Sequence, residues 1–106
     1  MYAARVQRSR GPVSVLALPN QRREPRLGLS VNRRVGTAVA RNTIKRRIRE
    51  AFRLGQGQLP RHGREGGGAY DYIIAVRAHK PLPMAEYGAI LTDLAAALHR
   101  EWERRK

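Results

Sequence analysis

The stretch that decides the fold is RRVGTAVARNTIKRRIREAFR, Arg33 to Arg53. From about Ala38 it holds no helix breaker until Gly55, and Ile44, Ile48, Ala51 and Phe52 recur at helical spacing, so they share one buried stripe of an amphipathic helix. At about 3.6 residues per turn, Asn42, Lys45, Arg46, Arg49 and Arg53 gather on a neighbouring arc. Glu50 is the one acid on the helix placed to offset them, through Arg46 or Arg53, so most of the repulsion is left uncompensated and the arc calls for an anionic partner. Asn42 is a mediocre helix former whose amide competes for backbone groups, which suits a cap or a nucleic-acid contact better than a plain surface position.

Charge over the whole chain agrees. A formal net charge of +14 and a pI near 11.7 place the chain among polyanion binders, with nucleic acid preferred over a membrane surface. The cations are mostly arginine, whose planar fork favours bidentate phosphate contacts and stacking on bases. With 106 residues and a hydrophobic content of 42%, the chain is read as a single domain with a modest core. It has no cysteine, which fits a reducing cytoplasm, and no apolar run approaching the roughly 18 residues of a membrane span. A cytoplasmic location is expected. His62, His79 and His99 lack ligand spacing, so no metal site is expected on the protein.

Working outward from the helix, RLGLSVN at Arg26–Asn32 alternates Leu27, Leu29 and Val31 against Gly28, Ser30 and Asn32, the period of a half-buried strand. Its small face, flanked by Arg26, Arg33 and Arg34, would be a shallow groove with cationic edges. Val35 and Gly36 turn the chain, and Thr37 is positioned to cap the helix, whose positive dipole end faces the same region. Upstream, VSVLAL at Val13–Leu18 reads as a strand buried on both faces, and the proline-bounded Asn20–Pro25 as a hairpin connection to the next strand. Residues 1–10 read as an N-terminal arm or the remnant of a first helix.

Downstream, residues 55–69 are glycine-rich and polar, hence a flexible loop, and lack the Gly-Lys-Ser/Thr of a phosphate-binding loop. Tyr70–Arg77 is a third strand, placed by its strand-helix-strand order beside Arg26–Asn32. From Met84 onward Tyr87, Ile90, Leu91, Leu94, Leu98 and Trp102 recur at helical spacing, a second amphipathic helix. Tyr87 is read as packing, and Trp102 as closing the core edge in preference to stacking on a base. The eight acids are scattered and no serine has a histidine-acid set, so this chain is not expected to supply catalytic groups.

Arg26 to Arg53 resembles the signature of the protein subunit of bacterial ribonuclease P, whose hallmark is a basic helix with an Arg-Asn-x-Ile/Val-Lys-Arg core, matched by Arg41, Asn42, Ile44, Lys45 and Arg46 and followed by Arg49 and Glu50. The order of the later strand and closing helix extends the resemblance over nearly the whole chain from Val13. It implies an α+β fold, a two-layer α/β sandwich with a small mixed sheet, a ribosomal-protein-like topology and a left-handed strand-helix-strand crossover. It also implies the role of partner to a catalytic RNA that removes the 5′ leader of precursor tRNA, with magnesium (Mg2+) held mainly by the RNA. Neither a stable protein partner nor a membrane is implied.

By the same resemblance Arg41, Asn42, Lys45, Arg46 and Arg49, joined by Arg53, would contact the catalytic RNA, with Arg33 and Arg34 at the helix approach. A groove between sheet face and helices, carrying Tyr2, Leu16, Arg26 and Ser30, would take the single-stranded leader. The family has an N-terminal helix with aromatic residues lining that groove. Here only Tyr2 stands for them, so the first helix is expected to be shortened or to lie upstream of Met1. A ribosomal or RNA-assembly binding protein is the alternative reading of the basic helix, and a DNA-compacting protein the third.

Overall fold

The computed structural model describes residues 6–63 and 67–105. In chain order these form β1 (Gln7–Arg10), β2 (Val13–Pro19), β3 (Arg26–Ser30), α1 (Ala38–Gly55), β4 (Tyr70–Val76) and α2 (Met84–Arg104). The strands make one mixed sheet in the order β1-β2-β4-β3, with both helices packed on one face, an α+β sandwich of two layers.

The hairpin expected between β2 and β3 does not form. β4 lies between them, antiparallel to β2 from Val13↔Val76 to Pro19↔Tyr70 and parallel to β3 from Arg26↔Asp71 to Ser30↔Ala75. YDYIIAV buries Tyr70, Tyr72, Ile74 and Val76, so this strand gains from an interior place with partners on both sides, and Asn20–Pro25 steps across its end. A parallel β3–β4 pair needs a long crossover, which α1 provides.

Gln7–Arg10 is also not the remnant of a helix or a free arm but an edge strand, paired from Gln7↔Leu16 to Arg10↔Val13. Its two-residue loop is Gly11-Pro12, with Gly11 at φ 58°. Proline cannot take a positive φ, so the first loop position must, and glycine does so without strain. All four residues of β1 are exposed, leaving no apolar alternation by which the strand could be recognised.

Register divides the sheet into two faces. Val13, Val15 and Ala17 of β2, Tyr72, Ile74 and Val76 of β4, and Leu27 and Leu29 of β3 point to the helix layer, where they meet Ile44 and Ile48 of α1 and Leu94 and Leu98 of α2. Trp102 is half-buried against this core and its Nε1 donates to the Ala17 carbonyl at 2.8 Å, so it closes the core edge. Tyr87 does more than pack: its hydroxyl accepts from the Leu82 amide at 3.1 Å and reaches His79 Nε2 at 2.8 Å, fixing the turn before α2.

The glycine-rich stretch 55–69, expected as one flexible loop, carries a 3-10 turn at Gln56–Gln58 and a bridge between His62 and Gly68. A Cβ at Gly68 would collide with the His62 ring, so glycine is required there. His62 Nε2 donates to the Asn20 carbonyl at 2.8 Å, joining this stretch to the end of β2.

Candidate nucleic-acid interface

Thr37 caps α1 as expected, its Oγ1 accepting from the Ala40 amide at 3.1 Å. Just before it, Asn32 Oδ1 accepts from the Arg34 amide at 3.0 Å and starts a 3-10 turn over Arg33–Val35. Val35 is buried and pins this turn, which leaves Arg33 and Arg34 exposed at the approach to α1.

Along α1, Ile44 and Ile48 are fully buried. Arg47 and Ala51 look toward α2, the first through a 2.8 Å bond to the Leu82 carbonyl and the second toward Gly88. The cationic arc therefore lies on the side of α1 turned away from α2. Asn42, Arg46, Arg49 and Arg53 are exposed on it and Lys45 is half-exposed. Arg41 sits at the seam between arc and core, half-buried, with its Nε enclosed.

Not all of these cations are equally available. Glu50 pairs with Arg53, accepting from Nε at 3.1 Å, and this hydrogen bonding holds the Glu50 carboxyl below the usual carboxylate range. Arg53 is thereby partly neutralised, whereas no acid among the described residues pairs with Arg33, Arg34, Asn42's neighbours Arg41 and Lys45, or Arg46 and Arg49.

The predicted leader residues Leu16, Arg26 and Ser30 do share one sheet face by register. It is the face opposite α1 and α2, however, so the groove is not formed between these residues and the two helices. The cause is the packing of both helices on the other side, where the larger apolar residues lie. Tyr2 lies outside the described residues. Leu16 is buried and offers little surface, while its register partner Ile73 is 44% exposed and supplies the large apolar group of this face. Sequence reading missed Ile73, although its alternation with Tyr72 and Ile74 carried the signal.

Arg77 was also missed. The parallel register brings the end of β4 beside the end of β3, so Arg77 and Arg34 flank an open recess of about 470 Å3 floored by Val35, Val76 and Ala78. Arg77 Nη2 donates to the Gly11 carbonyl at 2.9 Å. The cations of α1 continue into the Arg33–Arg34 turn that leads into the helix, while Arg26, at the start of β3, points to the opposite sheet face.

Among the described residues, His, Asp and Glu do not gather in threes that would hold a metal ion. His79 Nδ1 donates to the Arg77 carbonyl at 2.7 Å, and His99 Nδ1 lies 2.8 Å from the Tyr70 hydroxyl. The histidines are thus engaged in the fold. No helix among the described residues is long and apolar enough to cross a membrane.

Comparison with known proteins places this geometry. The chain is similar to the ribonuclease P protein component of Methylococcus capsulatus, 38% identical over 91 residues that cover 85% of this chain and 60% of that protein. It is 42% identical over 66 residues to that of Idiomarina loihiensis, covering 61% of this chain and 46% of that protein. The chain thus spans about half the length of these curated relatives. The ribonuclease P protein of Staphylococcus aureus superposes with a TM-score of 0.69 at 26% identity, covering 91% of this chain and 83% of that one. The family model for Ribonuclease P matches residues 1–101, and the chain belongs to the ribonuclease P protein family.

Proposed function

We propose that this chain is the protein component of a ribonucleoprotein endoribonuclease that removes the 5′ leader of precursor tRNA. The observation that carries the reading is the exposed cationic arc of α1 with the Arg33–Arg34 turn before it, displayed by a member of this family. Arg33, Arg34, Arg41, Asn42, Lys45, Arg46 and Arg49 contact the catalytic RNA, joined by Arg53, which is paired with Glu50. The open sheet face, with Arg26 and Ser30 at its edge and Ile73 at its centre, takes the single-stranded leader. Backbone charge and apolar contact suit such a strand, because neither depends on its sequence.

Scattered carboxylates fit a protein that leaves phosphodiester hydrolysis to its RNA, which would hold the magnesium that the reaction uses. A cytoplasmic location goes with this role. The named relatives favour it over ribosomal assembly. The test is reconstitution: the protein alone leaves labelled precursor tRNA intact, and cleavage at the leader junction appears when the catalytic RNA and magnesium are added. Robust cleavage by RNA-free protein would overturn the reading.

A further inference from the structure

Asp71 is the only acid among the strand residues of the open sheet face, an odd place for one on a surface that takes an anion. It lies directly opposite Arg26 in the β3–β4 register. Its Oδ1 accepts from Arg26 Nε at 2.8 Å and its Oδ2 from Arg26 Nη2 at 2.7 Å, a fork-to-fork pair. That uses one edge of the guanidinium. Nη1 is bound by no described residue, and the Arg26 side chain is 57% exposed.

The carboxylate is itself held. Asn20 is buried, and its Nδ2 donates to Asp71 Oδ1 at 2.8 Å while its Oδ1 accepts from the Arg22 amide at 2.9 Å. The Asn20 amide and carbonyl are bonded to Ala69 and His62, so the chain of contacts ends in fixed backbone. Hydrogen bonding from Arg26 holds the Asp71 carboxyl below the usual carboxylate range, so it stays charged at neutral pH.

We propose that Asp71, anchored by Asn20, is a positioning residue: it grips the Nε–Nη2 edge of Arg26 and aims the free Nη1 edge at a phosphate of the strand lying on the open face. The inference rests on the reading that this face takes the leader. An unrestrained arginine must be ordered on binding, and the Asp71 pair does that ordering beforehand. Two residues along from Arg26 on the same face of β3, Gly28 carries no side chain, so Ile73 is left open to a ribose or base adjoining that phosphate.

The test compares precursor tRNA with leaderless mature tRNA, binding to enzyme reconstituted from the full chain and its catalytic RNA. Asp71→Asn adds a positive charge to the protein, so Coulomb attraction alone would tighten the leader contribution. Positioning instead requires a loss of about three- to tenfold, the scale of ordering one long side chain at an interface. Arg26→Gln should lose a similar factor, and the double variant no more than Arg26→Gln alone. If Asp71→Asn keeps or gains leader-dependent affinity while Arg26→Gln loses it, the positioning role fails and the leader face stands. If Arg26→Gln changes nothing, the leader face fails and this inference with it. An equal loss toward mature tRNA, repeated in the Arg26→Gln background, would mean Asp71 only supports the fold and would also overturn the proposal.

Discussion

Arg47 Nη1 donates to the Leu82 carbonyl across 2.8 Å, tying α1 to the segment that leads into α2. This arginine therefore differs in kind from Arg46 beside it, which is exposed on the cationic arc. Arg47→Ala removes a charge-assisted bond and leaves the Leu82 carbonyl without it, so stability should fall by about 1.5 to 3 kcal/mol. RNA affinity of the folded fraction should change little. Denaturant unfolding and RNA titration of the variant check both halves.

Arg46→Ala and Arg49→Ala should show the reverse. Both side chains leave an exposed face, so the fold should lose on the order of half a kcal/mol or less while affinity for the catalytic RNA drops. Ile48, with no exposed surface, marks the other limit: its truncation to Ala opens the core at roughly 2 to 5 kcal/mol. Binding by Ile48→Ala should fail only through unfolding. If Arg46→Ala melted the domain while RNA affinity held, the basic arc would be a structural feature.

The two helices and β3 were legible because their apolar residues keep to one face, four apart in Ile44–Ile48–Phe52, close to the helical period, and two apart in Leu27–Leu29. Strand order was not legible in the same way. Nothing local to Val13–Leu18 or Arg26–Ser30 says that Tyr70–Val76 will come between them, since that outcome depends on which segment gains most from an interior place. β1 was invisible because an edge strand of Gln, Arg and Ser buries nothing of its own. Within the site, the helical period located the cationic arc and narrowed the partner of Glu50 to Arg46 or Arg53, but it could not choose Arg53 or show that Arg47 is spent on Leu82 and Arg26 on Asp71. Each of those pairings depends on a side-chain geometry that residue spacing alone does not determine.

Alkaline pH should weaken the fold. Tyr70 is buried, and desolvation, with the charge of Glu103 adding to it, pushes its hydroxyl up to about 12, while burial also raises Tyr72 and Tyr87. In the unfolded chain these hydroxyls ionise near pH 10. Above that pH the unfolded state has released protons that the folded state still holds, so stability declines as pH rises from about 10 toward 12. Urea midpoints measured from pH 8 to pH 11 should fall over the upper part of that range. Tyr70→Phe, which cannot ionise, should reduce the slope, and an unchanged slope would mean that Tyr70 does not contribute.

Salt separates the two surfaces. Each phosphate neutralised on a single strand should contribute a slope of about 0.7 on a log-log plot of affinity against salt. The leader contribution, taken as the difference between precursor and mature tRNA, should therefore weaken with salt, and Arg26→Gln should lower its slope by about 0.7, one phosphate's worth. Arg46→Ala, on α1, should lower the slope for binding the catalytic RNA and leave the leader difference alone. Because Arg26 already shares its charge with Asp71, its slope change reads whether the free Nη1 edge still engages a phosphate. A leader contribution that does not respond to salt would instead assign recognition on this face to apolar contact with Ile73.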